Sequence, residues 1–161
     1  MKKIIYFLLL IMTINACGDS KPSQKQKTGK TEQNPAEVLS TKIVINSNDT
    51  MKFDKNILLI PAGKKITLTL NHNGKFSKDG MGHNFVLLKA DTNVSEFAEK
   101  AAMARKTEYI PEGDQTIAYT KLLGGGESDT ITFDAPKKGY YTFLCTFPGH
   151  WQLMRGKLIV K

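Results

Sequence analysis

The chain has 161 residues, of which 40% are hydrophobic and 24% are charged. This is sufficient for one domain with a hydrophobic core plus some sequence outside it. The formal net charge is +8 at pH 7, but no Lys/Arg block is interleaved with aromatic residues, which argues against a nucleic-acid-binding protein. A basic surface can favour acidic partners or anionic lipid, although we expect most lysines to be solvated surface residues.

The first residues have the pattern of an export signal. Lys2 and Lys3 precede an apolar run at residues 4–12, which polar residues then interrupt. A charged start followed by a short apolar run is typical of a secretory signal peptide, and the run is too short for a permanent membrane span. The sequence therefore predicts a signal peptide at residues 1–16.

The end of this segment, Ile14-Asn15-Ala16-Cys17-Gly18, resembles a bacterial lipobox. In signals of that kind the peptide is cut before the cysteine, which is then acylated. We predict lipidation at Cys17, which would tether the exported protein to a membrane on the periplasmic side of the cell envelope, since each buried methylene contributes about 0.8 kcal/mol to anchoring. The alternative is an ordinary signal peptide with an incidental cysteine.

Residues 18–40 consist mainly of Ser, Lys, Gln, Thr, Pro and Asn, with almost no large apolar side chain. Such a segment cannot bury enough surface to offset the entropy lost on ordering. We therefore predict that residues 17–40 form an acylated, flexible polar tether and that the folded domain spans residues 41–161.

Short strands with Gly, Asn and Pro between them fill the predicted domain. In residues 65–71, for example, Ile66, Leu68 and Leu70 alternate with polar residues, which indicates a half-buried strand. The density of strands predicts an all-β sandwich or barrel. The predicted strands are residues 42–47, 51–53, 57–60, 65–71, 83–89, 130–133, 140–146 and 156–160.

One stretch between the strands has a helical composition. Residues 94–105 are rich in Ala and Glu, and Ser95 is a candidate N-cap. The stretch carries no catalytic pattern. We predict a helical flap that packs over one side of the sandwich.

The stretch Cys145-Thr-Phe-Pro-Gly-His150-Trp-Gln-Leu-Met154 places a thiol, an imidazole and a thioether in one predicted loop. If Cys17 is lipidated, Cys145 is the only remaining thiol, and a lone thiol in an exported protein is better protected when a metal ligates it. One thiolate, two imidazoles and a weak axial thioether form the blue-copper arrangement. Zinc could use the same groups, but it gains little from a thioether. Taken singly, these residues could also be ordinary core or surface residues.

A second imidazole has to come from His72 or His83, the other histidines of the chain. His83 is favoured, because Gly82 beside it permits close approach of the backbone to an ion. His72 follows a predicted strand at a turn, where a structural or proton-titrating role is favoured.

Three separated motifs resemble the azurins, blue-copper proteins of the cupredoxin family. They are Gly82-His83-Asn84, Tyr119-Thr120-Lys121-Leu122 and residues 141–150, and the spacing Cys-x4-His-x3-Met is that of azurin itself. The resemblance covers residues 41–161. It implies a Greek-key sandwich of about eight strands that carries single electrons with one copper ion.

The resemblance also implies individual roles around the metal. The copper ligands would be His83, Cys145, His150 and, as a weak axial ligand, Met154. The carbonyl group of Gly82 would approach from the opposite axial side. Asn84 would hydrogen-bond near the end of the Cys145 strand and hold the two ligand segments together. Phe147 and Pro148 would shield the metal and leave the edge of His150 exposed.

The sequence departs from the azurin pattern in three places. The usual disulfide is absent, because Thr41 and Gly63 stand where its cysteines would be expected, which removes a constraint of roughly 2–4 kcal/mol. Phe85 stands where the family has a buried tryptophan near the first copper ligand. Trp151 and Gln152 occupy loop positions where the family has small residues, which bears on partner choice.

These observations favour a lipid-tethered, monomeric electron carrier over an enzyme, because four protein ligands leave no open position for a substrate. Electrons would enter and leave at His150, inside an apolar docking patch. The other patch residues are Met51, Phe76, Met81, Phe147, Pro148 and Leu153. The resemblance implies c-type cytochromes or other envelope redox proteins as partners. The alternatives are a copper-binding or trafficking protein without electron transfer and, less favoured, a metal-free interaction module.

Overall fold

The computed structural model describes residues 39–161. The predicted signal peptide, Cys17 and residues 17–38 of the predicted tether lie outside this range. Within it, no helix is long and apolar enough to cross a membrane. The elements are β1 (Lys42–Asn48), β2 (Lys52–Phe53), β3 (Ile57–Ile60), β4 (Lys65–His72), α1 (Lys78–Met81), β5 (Val86–Leu88), α2 (Val94–Met103), a 3₁₀ turn (Arg105–Thr107), β6 (Thr116–Tyr119), β7 (Ser128–Asp134), β8 (Gly139–Leu144) and β9 (Arg155–Val160).

The strands form two sheets. One sheet has the order β2-β1-β4-β7 and the other has the order β3-β9-β8-β5-β6. The pairs β1–β4 and β3–β9 are parallel, and the remaining pairs are antiparallel. Parallel neighbours cannot be joined by a tight hairpin, so the chain crosses from one sheet to the other. The predicted all-β sandwich is confirmed.

The core lies between the sheets because apolar residues alternate along the strands. In β4, Ile66, Leu68 and Leu70 are fully buried while the residues between them are half-buried. The register of β1 against β4 places Ile43 beside Leu68 and Ile45 beside Leu70, so both strands direct apolar side chains to the same face. The period-two pattern seen in the sequence is therefore the pattern of burial.

The predicted helical flap covers the outer face of the second sheet. Val86 and Leu88 on β5 point away from the main core and pack with Phe97, Ala98 and Ala101 of α2. This explains why all three residues of β5 are buried. A strand that is apolar on both faces needs a second layer, and the helix supplies it.

Several predicted boundaries were wrong in detail. The helix is capped by Asn93, whose side chain accepts a hydrogen bond from the Glu96 backbone N–H at 3.3 Å, and not by Ser95, which lies inside the helix. β5 begins at Val86, three residues later than predicted, because His83 makes only an isolated bridge to Leu123. β8 ends one residue before Cys145. Strand β6 and the short helix α1 were not predicted.

Ile60→Ala should lower the free energy of unfolding by about 2–5 kcal/mol, because it leaves a cavity in the core. Ile60 is fully buried at the end of β3. The measurement is urea unfolding of the metal-free domain.

Ile57→Ala is the matched control, since Ile57 lies on the same strand but keeps 50% of its surface exposed. Its cost should stay below about 1 kcal/mol. Equal losses in the two variants would contradict the assignment of the core face of β3.

Candidate metal centre

Three buried side chains converge at one end of the sandwich. His83 precedes β5, Cys145 follows β8, and His150 lies in the loop between β8 and β9. Cys145 and His83 have no exposed surface, and His150 has 4%. One ligand atom from each lies within 4.8 Å of the other two, which makes them a candidate metal site.

The ring of His83 is oriented by the backbone. Its Nε2 donates a hydrogen bond to the carbonyl oxygen of Asn48 at 2.9 Å, so Nδ1 is the nitrogen left facing Cys145. The backbone of His83 is itself bonded in both directions to Leu123, at 3.0 and 2.8 Å. The hydrogen bond from Nε2 to Asn48 therefore fixes Nδ1 as the ring nitrogen that is available to a metal.

The loop that carries His150 is held by its own backbone. Residues 147–154 make a compact turn in which the His150 carbonyl accepts from the N–H groups of Leu153 at 3.0 Å and Met154 at 2.8 Å. The Cys145 N–H donates to the carbonyl of Met154 at 2.9 Å, which closes the loop at its base. Gly149 permits the turn because its φ is +82°.

Asn84 joins the His83 segment to the Cys145 segment. Its Oδ1 accepts from the backbone N–H of Thr146 at 2.8 Å, and its Nδ2 donates to the Thr146 hydroxyl at 2.8 Å. The same Nδ2 lies 3.3 Å from the carbonyl oxygen of Glu108. Asn84 and Thr146 are both buried, so these bonds are shielded from water.

The separations of the three ligand atoms suit a small metal ion. Sγ of Cys145 lies 3.9 Å from Nδ1 of His83 and 3.8 Å from Nδ1 of His150, and the two nitrogens are 3.2 Å apart. A point equidistant from these three atoms is about 2.1 Å from each, close to the usual lengths of metal bonds to imidazole nitrogen and thiolate sulfur. The residues therefore fit a metal without rearrangement.

Two further groups, the Met154 side chain and the Gly82 carbonyl, belong to the segments around the three candidate ligands. Met154 is fully buried directly before β9. The carbonyl oxygen of Gly82 lies 3.9 Å from Sγ of Cys145. A side chain at position 82 would meet the Lys78 carbonyl oxygen at 2.5 Å, so only glycine fits where the backbone turns toward the site.

Burial controls the protonation of the site when it holds no metal. It raises the pKa of the Cys145 thiol to about 11, although the backbone N–H groups of Asn84 and Phe147 act in the opposite direction. Burial also lowers the pKa of His83 to about 4 and the pKa of His150. Both imidazoles are thus neutral at pH 7, as a metal requires, whereas the thiol has to lose its proton on binding.

His72 is not part of this cluster. Its Nε2 donates to the carbonyl oxygen of Met81 at 2.8 Å, and its Nδ1 accepts from the N–H of Gly74 at 3.0 Å. Both ring nitrogens are therefore used. The ring of His72 stacks against the ring of His83 with centroids 4.3 Å apart, so it helps to hold that side chain in place.

Comparison with known proteins places the chain in a protein family. A family profile described as copper binding proteins of the plastocyanin/azurin family matches residues 39–161. The chain belongs to this family. It is 40% identical over 119 residues to Azurin-2 of Alcaligenes xylosoxydans xylosoxydans, a match that covers 71% of this chain and 92% of that protein. The azurin of Alcaligenes faecalis is 38% identical over 121 residues, 72% of this chain and 94% of the relative.

A longer relative and two solved structures extend the comparison. Outer membrane protein H.8 of Neisseria gonorrhoeae is 43% identical over 118 residues, which cover 71% of this chain and 64% of that protein. Reduced auracyanin of Roseiflexus castenholzii aligns with a TM-score of 0.71 at 36% identity, covering 77% of this chain and 99% of auracyanin. An azurin of Methylomonas sp. strain J aligns with a TM-score of 0.68 at 34% identity, covering 74% and 97%.

These relatives confirm the predicted cupredoxin fold and identify the cofactor. Copper-binding family membership and the geometry of His83, Cys145 and His150, with Met154 nearby, fit a single type 1 copper ion. Such a site uses one thiolate and two imidazoles in a trigonal arrangement with a weak axial group.

An aromatic row links the flap segment of this cupredoxin to the metal loop. The Phe147 ring lies 4.7 Å from the ring of His150 and 5.3 Å from Tyr109, measured between centroids. Tyr109 and the preceding Glu108 both have positive φ angles, of 65° and 55°, a costly conformation for residues other than glycine. The contact of Tyr109 with Phe147 could not be predicted from the sequence, because it depends on this backbone geometry.

Trp151 anchors the metal loop to the rest of the domain and is only partly exposed. It is half-buried against the cluster that joins β5 to α2, and the Arg155 guanidinium lies 5.7 Å from its ring centroid. A cation over a tryptophan face is attracted by the ring. The large side chain at this loop position is therefore accommodated by the flap.

The predicted docking residues differ in exposure. Phe76 and Leu153 are exposed over 58% and 62% of their surface. Met51, Met81 and Phe147 are half-buried, and Pro148 is exposed. Met51 lies in the turn between β1 and β2, where its backbone has a positive φ of 54°.

Asn84→Ala should lower the free energy of unfolding of the metal-free domain by about 1–3 kcal/mol, because the buried Thr146 N–H loses its acceptor. Urea unfolding measures this loss. Asn73→Ala makes the same chemical change on an exposed residue and should stay within about 0.5 kcal/mol of the parent. Similar values for the two variants would contradict the role of Asn84.

Acidification should destabilise the metal-free domain between about pH 6.5 and pH 4. The folded-state pKa of His83 lies near 4, below its ordinary value of 6.5, so the unfolded chain binds a proton first and stability falls as pH falls. We expect a loss of roughly 2 kcal/mol from this residue.

Urea unfolding at a series of pH values measures that slope. In His83→Gln, which cannot titrate, the dependence should be shallower, with the remainder coming from His150, whose pKa is also lowered. An unchanged slope in this variant would show that His83 is not the group responsible.

Proposed function

We propose that this chain is an electron carrier of the bacterial cell envelope that shuttles single electrons through a type 1 copper site. The observation that carries the proposal is the trigonal set of Sγ and two Nδ1 atoms, 3.2–3.9 Å apart and buried. His83, Cys145 and His150 would hold the copper ion, with the thioether of Met154 and the carbonyl group of Gly82 as weaker contacts.

The chain holds these groups in place before any metal binds. The Asn48 carbonyl orients His83, Asn84 ties the two ligand segments together, and the turn at residues 147–154 fixes His150. Copper supplies a one-electron couple when bound, and rigid ligands keep the rearrangement between its two oxidation states small. Four protein groups also leave no position for a substrate, which supports a carrier over an enzyme.

His150 is the proposed entry and exit point for electrons. Its Nδ1 faces the site while 4% of the residue stays exposed. The surrounding docking patch would consist of Met51, Phe76, Met81, Phe147, Pro148 and Leu153. A small apolar patch suits brief encounters. Its partners would be c-type cytochromes or other redox proteins of the envelope, and the carrier would act as a monomer.

We place this carrier on a membrane through its N-terminal segment. Residues 1–16 would be removed as a signal peptide, Cys17 would carry the lipid, and residues 17–40 would tether the domain at 41–161. The related H.8 protein of Neisseria is named an outer membrane protein, which supports a place in the envelope. Mass spectrometry of the mature protein tests this assignment, since an unmodified N-terminus would exclude lipidation at Cys17.

The domain loaded with Cu(II) should show an intense visible band that bleaches with a mild reductant and returns on reoxidation, because thiolate–copper bonding gives blue-copper sites their colour. Cys145→Ser should abolish the band. Met154→Leu should keep the band and raise the reduction potential, because the loss of an electron-pair donor destabilises Cu(II), with its higher charge, more than Cu(I). Absorption spectra and redox titration measure these outcomes.

The exposed Leu153 provides the control, because Leu153→Ala should leave both the band and the potential unchanged. A colourless protein that still binds copper would contradict the proposal and favour copper trafficking or storage. A blue protein whose oxidised and reduced forms exchange electrons only slowly, measured by NMR line broadening in mixtures, would also favour trafficking. If the domain binds no copper, the proposal is wrong and Cys145 is an ordinary buried core residue.

A further inference from the structure

The end of the sandwich opposite the metal centre is built from the starts of β1, β4, β6 and β8 and the ends of β3, β5, β7 and β9. Backbone hydrogen bonds join these segments: the Ala62 N–H donates to the Lys161 carbonyl at 2.9 Å, and the Ala135 N–H donates to the Lys64 carbonyl at 2.8 Å. The surface of this end is the basic pole. It is defined by Lys42, Lys64, Lys65, Lys137, Lys138 and Lys161, all of them exposed.

The end of the sandwich that carries the basic pole holds most of the charge excess of the described domain. Residues 39–161 contain 17 Lys and Arg and 12 Asp and Glu. Six lysines and Asp134 lie at the pole. Lys89, Asp91 and Asp114, which follow β5 or precede β6, lie at the same end, so this end carries seven lysines and three carboxylates, an excess of four of the domain's five positive charges. Asp114 pairs with Lys89 at 3.1 Å.

The lysines of the pole are also poorly neutralised. Within residues 39–161, only Lys65 among them has a carboxylate within 4.0 Å, in its 3.0 Å pair with Asp134. Lysines elsewhere more often have partners, such as Lys55 with Asp54. Tyr140, which is 70% exposed at the start of β8, follows Lys138 by two positions in the chain. Tyrosine next to lysine is a combination found where proteins meet the membrane–water interface.

The N-terminal segment joins the domain at this same end. The Ser40 N–H donates to the Leu59 carbonyl at 3.1 Å, and the Thr41 carbonyl accepts from Thr67 at 2.8 Å, near the end of β3 and the start of β4. The described part of the chain therefore begins beside the basic pole and away from the metal centre.

We propose that the basic pole docks on a surface of anionic phospholipid headgroups and so turns the metal centre away from the membrane. Charge complementarity carries the proposal, because clustered lysines are attracted to anionic lipid. β4 runs from Lys65 at the pole to His72 under the metal centre, roughly 23 Å at about 3.3 Å per residue. The inference goes beyond the electron-carrier function and does not depend on copper.

Vesicle co-sedimentation of residues 39–161 tests the proposal without any lipid anchor. This part contains the complete hydrophobic core, and it matches azurins over 92% and 94% of their length. The domain should bind vesicles of phosphatidylglycerol mixed with phosphatidylcholine, and it should not bind pure phosphatidylcholine. Binding should disappear at about 1 M salt, where the Debye length is about 3 Å.

Two charge-matched variants locate the surface. The pole variant Lys64→Gln, Lys137→Gln, Lys138→Gln should bind roughly 100-fold more weakly, at about fivefold for each lysine. The control variant Lys52→Gln, Lys75→Gln, Lys121→Gln removes three exposed lysines elsewhere and should change affinity by less than about threefold. Urea unfolding should show that both variants keep the stability of the parent.

Equal losses in the two variants would overturn the proposal in favour of a general effect of net charge. Absence of binding to the anionic vesicles, or equal binding to both vesicle types, would also overturn it. Failure of the copper proposal leaves a different signature, because a colourless domain could still bind anionic vesicles through the pole.

Discussion

The pairing of Asn84 with Thr146 is the constraint on which the metal centre depends. These residues lie 62 positions apart in the chain, and each is adjacent to a residue of the site, His83 in one case and Cys145 in the other. The two segments belong to different parts of the second sheet and come together only when β5 pairs with β8. The amide side chain then joins them with two bonds of 2.8 Å, in a buried position where such bonds are shielded from competition by water.

The same burial has opposite effects on the two kinds of ligand. It keeps both imidazoles neutral and ready to bind, whereas it makes the thiol of Cys145 reluctant to lose its proton. The metal has to displace that proton, so affinity is coupled to pH. Burial also gives each dipole in the site a larger influence, including the N–H groups of Asn84 and Phe147 that point at the sulfur.

The features predicted from sequence are those that depend on spacing and periodicity. The order of residues from Cys145 to Met154, and the glycine before His83, indicated the site, and the alternation in residues 65–71 indicated β4. What could not be predicted depends on contacts between distant segments. β6 is short and only half-buried, and it becomes a strand because β5 offers it an edge. Asn93 and Ser95 are both good helix caps by type, and the backbone alone decides between them.

The groups of the metal centre are unevenly distributed along the chain. Cys145, His150 and Met154 fall within ten consecutive residues, whereas His83 is 62 residues before Cys145. An unfolded chain therefore already presents a thiol, an imidazole and a thioether as a local chelator. A metal that also binds the unfolded state stabilises the folded state by less. The folded domain adds the imidazole of His83, and this additional group makes copper binding selective for the native chain.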